Sequence, residues 1–154
     1  MSIEVGAAAP GFSLPADGGG NLSLADFKGS IVVLYFYPKD DTPGCTIEAK
    51  DFTALADAFA GHNALVIGVS KDSAQRHDKF RDKYGLKVRL VADEDGKLCD
   101  AYGVWKEKSM YGRTFMGIER TTFLIDKDGI IREVWNKVKV SGHADEVLAK
   151  AGAL

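Results

Sequence analysis

Cys45 lies in the run Tyr37-Pro38-Lys39-Asp40-Asp41-Thr42-Pro43-Gly44-Cys45-Thr46-Ile47-Glu48, and its neighbours suit a thiol that reacts rather than one that fills space. Thr42 followed by Pro43 reads as a helix N-cap with proline at the first helical position, where the missing N–H would have had no partner anyway. Cys45 then falls in the first turn of that helix. Unpaired backbone N–H groups and the positive end of the helix dipole favour a thiolate there, and the thiolate is the nucleophilic form of cysteine. A buried, inert cysteine is the commoner case in general. The helix start is what argues against it at this position.

These residues carry a family resemblance. Pro38-x-x-x-Thr42-x-x-Cys45 resembles the active-site pattern of the peroxiredoxins, and Tyr37 to Thr46 is similar to that of their bacterioferritin-comigratory, or Q-type, branch. Tyr102-Gly103-Val104-Trp105, Ser109-Met110-Tyr111-Gly112-Arg113 and Gly117-Ile118-Glu119-Arg120-Thr121-Thr122-Phe123-Leu124-Ile125-Asp126 resemble the same branch, so the likeness runs over nearly the whole chain. It implies a thioredoxin-like fold and reduction of hydrogen peroxide or organic hydroperoxides to water or alcohols through a cysteine sulfenic acid. It also implies re-reduction by thioredoxin or a small thiol, a part in antioxidant defence and redox homeostasis, and a monomer or weak homodimer.

Reducing a peroxide requires the thiolate to attack one oxygen in line while the other leaves, so charge moving along the O–O bond must be stabilised at both ends. The Thr42 hydroxyl and the backbone N–H groups of Gly44 and Cys45 are placed to supply this stabilisation. Pro38 would shape the pocket and shield the thiolate from water. Taken alone, an arginine at a strand start such as Arg120 is more often a solvent-facing charge; the resemblance moves it into the site, where a guanidinium would favour the thiolate and donate to the peroxide. Glu48, one helical turn after Cys45, could accept from Arg120 and hold its fork in orientation.

Sulfenic acid at Cys45 must condense with a thiol before re-reduction. Many members of the branch carry a resolving cysteine five residues after the reactive one, and here that position is Lys50. A second variant places it on the next helix, and Ser73 to Tyr84 contains none. Cys99 is the remaining candidate resolving thiol, but nothing near it supplies a cation or a helix start, which favours an inert buried thiol. The expectation is a one-cysteine cycle.

Several elements must hold these residues in place. Ile31 to Tyr37 is β-branched and aromatic without interruption, which suits a central strand buried on both faces. Ala9 to Pro15 and Asn21 to Leu24, around Ala16 to Gly20, read as an N-terminal β-hairpin, and Leu24 to Gly29 as one helical turn. Phe52, Leu55, Ala56 and Phe59 recur at helical spacing, so the active-site helix is expected to run from about Pro43 to Ala60. Ala64 to Ser70 is a second buried strand and completes a βαβ unit. An amphipathic helix over Ser73 to Tyr84, a short strand at Arg89 to Asp93 and a brief helix carrying Leu98, Cys99 and Tyr102 follow. Lys106 to Gly117 reads as a long connecting loop. Arg120 to Ile125 and Ile130 to Trp135 flank the turn Asp126 to Gly129 as a hairpin, and His143 to Ala151 closes the chain as a helix. The sum is an α/β fold, a mixed central sheet with helices on both faces in thioredoxin-like order, in one domain over residues 1–154.

Composition narrows the function. Of 154 residues, 20 are basic and 22 acidic, so a net charge of −2 offers no field for nucleic acid or anionic lipid. Met1 to Val5 lacks the basic start and apolar core of a secretory leader, and no apolar run approaches the ~20 residues that cross a bilayer; a cytoplasmic address without membrane partners is expected. His62, His77 and His143 share no ligand spacing with the two cysteines, so neither a metal nor another cofactor is expected. A thiol–disulfide oxidoreductase would want Cys-x-x-Cys where this chain has Glu48. A non-catalytic binding module would have no use for Pro38, Thr42, Cys45 and Arg120 together.

Overall fold

The computed structural model describes residues 3–154; Met1 and Ser2, which open the segment read against a leader, lie outside the described residues. The chain begins with the expected antiparallel hairpin, β1 (Ser13–Pro15) and β2 (Asn21–Ser23), whose turn runs through Gly18, Gly19 and Gly20, all at positive φ. A 3-10 turn over Leu24–Phe27 leads into β3 (Ile31–Phe36), all six residues of which are buried.

From β3 the chain passes through α1 (Pro43–Ala54) and α2 (Ala56–Gly61) to β4 (Ala64–Ser70), then through α3 (Ala74–Tyr84) to β5 (Arg89–Ala92). Ser73 caps α3 by accepting from the Arg76 N–H, and Gly85, in the left-handed region, ends it. Next come α4 (Lys97–Ala101), β6 (Trp105–Met110), β7 (Arg113–Ile118), β8 (Thr121–Ile125), β9 (Ile131–Trp135) and α5 (His143–Gly152). The main sheet has the order β5-β4-β3-β8-β9. β3, β4 and β5 run parallel, while β8 is antiparallel to both β3 and β9. This is the mixed, thioredoxin-like sheet the sequence predicts, with β3 at its centre.

Alternation along β3 divides the core in two. Ile31, Val33 and Tyr35 face α1, α2, α3 and α5, through Cys45, Phe52, Phe59, Phe80 and Val147. Val32, Leu34 and Phe36 face the other way, towards α4 and the N-terminal hairpin, with Leu22, Leu98, Cys99 and Tyr102. Each fully buried aromatic in these layers contributes about 1.5–3 kcal/mol relative to exposure, which ties α1 firmly to the sheet through Phe52.

Two expectations need correction. The active-site helix is not continuous to Ala60: Leu55, at φ −100 and ψ 6, separates α1 from α2. Its N–H donates to the Phe52 carbonyl at 3.2 Å, tightening the last turn, while its carbonyl accepts from Phe59 at 2.9 Å. The break lets Phe59 turn onto β4 with its ring centroid still 6.0 Å from that of Phe52. Residues 106–117 are not a loop either, but most of the β6–β7 hairpin. Its turn is Tyr111-Gly112, with φ of 53° and 75°, the two-residue geometry that Asn-Gly usually signals. Tyrosine in the first position hid it.

Candidate active site

Beyond β3 the chain leaves the sheet through Tyr37, whose side chain is buried. Its hydroxyl donates to Asp40 Oδ1 at 2.5 Å, and Asp40 Oδ2 lies 2.7 Å from His77 Nδ1 on α3. His77 Nε2 is 2.9 Å from the Val91 carbonyl of β5. A carbonyl only accepts, so Nε2 carries a proton; a carboxylate at Nδ1 calls for a second one, making the ring an imidazolium. Burial alone would lower the His77 pKa, but the hydrogen bond and charge of Asp40 raise it above the ordinary value. The Asp40 N–H adds a bond to Asp72 Oδ2 at 2.8 Å. The loop before α1 is thereby clamped to α3 and β5. Sequence reasoning gave no role to Asp40 or His77, since nothing local in the chain signals a pairing between such distant positions.

At the start of α1, Thr42 is the N-cap by backbone geometry, with φ −100 and ψ 156, and its carbonyl accepts from the Thr46 N–H at 2.9 Å. Gly44 and Cys45 precede that first helical bond. The Thr42 hydroxyl does not cap the helix as expected; it donates to the Lys39 carbonyl at 2.8 Å. Its proton is thus committed, and its oxygen lone pairs remain as acceptors for an incoming O–H. Pro38 is exposed and lines a pocket of about 410 Å³ with Trp105, Lys108 and Met116. The cavity between Ala8, Leu24, Val32 and Ile125 lies at the other end of β3, away from the thiol.

Arg120 stands immediately before β8 and reaches the amino end of α1. Its Nη2 donates to Cys45 Sγ at 3.5 Å, and its Nη1 to Glu48 Oε1 at 2.6 Å. The fork thus bridges the thiol and the carboxylate one turn later. Gly44 makes the approach possible, since a Cβ there would lie 3.1 Å from Arg120 Nη2. Burial would lower the Arg120 pKa, but the charges of Glu48 and Cys45 more than offset it. Glu48 is 1% exposed and its Oε2 has no hydrogen-bond partner; burial pushes its pKa from 4.5 up to about 7 against the pull of Arg120. The two directions oppose one another across one contact. The unpartnered Oε2 is the physical reason to hold that Glu48 takes up a proton more readily than an ordinary carboxylate. Nearby, the Tyr35 hydroxyl is likewise buried without a partner, and burial followed by the Glu48 charge keeps it protonated.

Both cysteines are free. Cys45 packs on the face of the sheet that carries Tyr35, whereas Cys99 packs on the opposite face with Leu34 and Phe36. β3 stands between them, and a disulfide would need their Cα atoms within ~4.4–6.8 Å. Burial, then the hydrogen bond with Asp93, pushes the Cys99 thiol far up. Lys50 is exposed and extends over the Tyr84 ring, 5.9 Å from its centroid. Among the described residues, no group of three or more His, Cys, Asp or Glu could hold a metal ion, and no helix is long and apolar enough to cross a membrane.

This arrangement gives a cysteine at a helix start and a guanidinium on its sulfur, with an acceptor hydroxyl on the residue that caps the helix. Comparison with known proteins agrees with that chemistry. A family model described as the AhpC/TSA family matches residues 5–134. The peroxiredoxin Bcp of Bacillus subtilis is 50% identical over 148 residues, covering 96% of this chain and 94% of that protein. A Xanthomonas campestris bacterioferritin comigratory protein, studied for alkyl peroxide reduction, superposes with a TM-score of 0.88 at 48% identity over 92% of this chain and 90% of that one. A Xylella fastidiosa PrxQ mutant superposes with a TM-score of 0.94 at 43% identity, covering 99% and 98% of the two chains.

Proposed function

The chain belongs to the AhpC/TSA family, among the Bcp or Q-type peroxiredoxins, and from that premise we propose that it is a thiol-dependent peroxidase acting on hydrogen peroxide and organic hydroperoxides through Cys45. The observation that carries this reading is the contact of Arg120 Nη2 with Cys45 Sγ at the first turn of α1. The thiolate attacks one peroxide oxygen; an S–O bond forms, the O–O bond breaks, and sulfur gives up two electrons. The departing hydroxide or alkoxide takes a proton and leaves as water or alcohol. Arg120 and the N–H groups of Gly44 and Cys45 stabilise the negative charge as it moves along the bond. Thr42 accepts from the peroxide O–H and so holds that hydroxyl oxygen, which becomes the sulfenic oxygen, in line with the sulfur while the other oxygen departs. Pro38 forms part of the wall of the adjoining pocket, and Glu48 fixes the orientation of Arg120.

Recycling in this reading uses one protein cysteine. An outside thiol attacks the sulfenic sulfur, releasing water and leaving a mixed disulfide; a second thiol then restores Cys45. Thioredoxin or a small thiol fills this role, and the position of Cys99 across the sheet supports leaving it out. The same proposal has the enzyme acting as one domain over residues 1–154, in the cytoplasm, as a monomer or weak homodimer. A disulfide oxidoreductase fits less well, because Glu48 occupies the place of its second cysteine.

The test is whether reduced protein consumes one equivalent of hydrogen peroxide within seconds and gains one oxygen at Cys45 by mass spectrometry. Cys45→Ser should consume none while keeping a native circular dichroism spectrum. Peroxide consumption at the wild-type rate by that variant would end the proposal.

A further inference from the structure

The pocket beside Pro38 contains a cation that the reaction above does not use. Lys108 projects from β6, half-buried, opposite Phe115 of β7. Its stem runs through a slot left by Gly117: a Cβ at 117 would stand 3.3 Å from Lys108 Cδ and 3.5 Å from Phe115 Cε2. The chain is therefore held in place by packing, unlike a free surface lysine. Lys106, two residues earlier, has its ammonium 3.2 Å from Glu119 Oε2. No carboxylate lies within ion-pair distance of Lys108 among the described residues. Burial, and then the charge of Arg120, lowers its pKa, while the negative charges at Cys45 and at the Lys106-paired Glu119 act the other way without reversing it. An ammonium held near a second cation, with no counter-ion of its own, is costly unless an anion arrives.

The rest of the pocket says what kind of anion. Trp105, Phe115, Met116 and Ile118 give it apolar walls, and Pro38 lines the side where the chain leaves β3 for the helix that bears the thiol. Its volume of about 410 Å³ falls in the range of small-ligand sites. Lys39 and Lys71 add positive charge, with Lys71 Nζ 4.2 Å from the centroid of the Trp105 ring. The one acidic side chain in the lining, Asp72, is already engaged by Arg76 Nε at 3.0 Å and by the Ser70 hydroxyl and the Asp40 N–H.

We infer that this pocket is a selectivity subsite for organic hydroperoxides that carry a carboxylate beyond a short apolar body, with Lys108 binding the carboxylate while the peroxide group reaches Cys45. The inference rests on the peroxidase reading and adds a substrate class to it. Hydrogen peroxide and neutral hydroperoxides still react but gain nothing from Lys108.

The probes are cumene hydroperoxide bearing a para-carboxylate, the methyl ester of the same compound, and hydrogen peroxide, each followed by stopped-flow oxidation of the reduced protein at low salt. The acid should react about tenfold faster than its ester, as befits a charge-assisted contact in a partly desolvated site, and the preference should weaken as salt is raised. Lys108→Gln should bring the acid-to-ester ratio to about one. Lys108→Arg should retain part of it. Gly117→Ala, which closes the slot but keeps the lysine, should lower it too. A wild-type ratio near one, or a ratio unchanged in Lys108→Gln, overturns the inference while leaving the peroxidase intact. Equal slowing of all three peroxides in Lys108→Gln also overturns it, since the lysine would then serve the thiolate alone. Failure to consume any peroxide removes both readings together.

Discussion

Replacing Glu48 by glutamine tests the electrostatics of the site through the pH dependence of stability. In the folded protein burial takes Glu48 from 4.5 to about 7, whereas in the unfolded chain it titrates as an ordinary carboxylate. Between those values the folded state keeps a proton that the unfolded state has released. Stability from this group is therefore complete below about pH 4.5, falls as pH rises through the window, and levels off above about pH 7. At about 1.4 kcal/mol for each tenfold change in proton affinity, the full loss is about 3 kcal/mol. Glutamine has no proton to lose, so Glu48→Gln should lack this decline, whatever constant offset its unpaired amide brings. His77, whose folded pKa is raised, adds a fall above about pH 6.5, and His143, lowered by burial, adds a rise below it; both are common to the two proteins and cancel in the difference. Urea unfolding at pH 5, 6, 7 and 8 measures it, and the variant should gain about 2–3 kcal/mol on the wild type across that range. Parallel curves would refute the reasoning: they would mean that the Arg120 contact keeps Glu48 ionised throughout and that burial of Oε2 does not govern its charge.

Further perturbations separate contact from charge and structure from chemistry. Arg120→Ala should slow oxidation by hydrogen peroxide about 10²-fold and slow iodoacetamide alkylation of Cys45 at pH 7; Gly44→Ala should do the same in part, because its Cβ would push Nη2 off the sulfur while every charge remains. His77→Phe should destabilise the protein by about 3–5 kcal/mol, read by urea unfolding, since it takes away the ionic partner of the buried Asp40 and leaves Oδ2 without its contact. In native protein alkylation should label Cys45 and spare Cys99, and Cys99→Ala should turn over peroxide with any thiol reductant at the wild-type rate; a rapid Cys45–Cys99 disulfide seen by mass spectrometry would contradict this.

What could be read from the sequence follows the range of the interaction. The buried strand at Ile31, the proline-led helix start at Thr42 and the hairpin around Asp126 to Gly129 are written in local patterns, and they form where those patterns say. The reach of Arg120 to Cys45 depends on the antiparallel pairing of β8 with β3, which no local pattern encodes; the family resemblance supplied it. Asp40 with His77 escaped for the same reason, being a contact between distant segments; the slot at Gly117 escaped because residues 106–117 read as a loop, which hid the pairing of β6 with β7. The break at Leu55 escaped for another: helical periodicity continues through it, and only the packing of Phe59 on β4 requires the chain to turn.

Cys45 is 2% exposed, and this sets a limit on turnover from a direction other than peroxide chemistry. In the proposed cycle a reducing protein must present its own sulfur in line with the sulfenic one, and a sulfur this buried offers it no direct approach. On that reading the first turn of the helix opens before the second half of the cycle begins, and the opening rate is a property of this chain alone. At low concentrations, reductants of different nucleophilicity regenerate the enzyme at different rates. As their concentrations rise, those rates converge on one common ceiling, the frequency with which the amino end of α1 lifts away from Arg120.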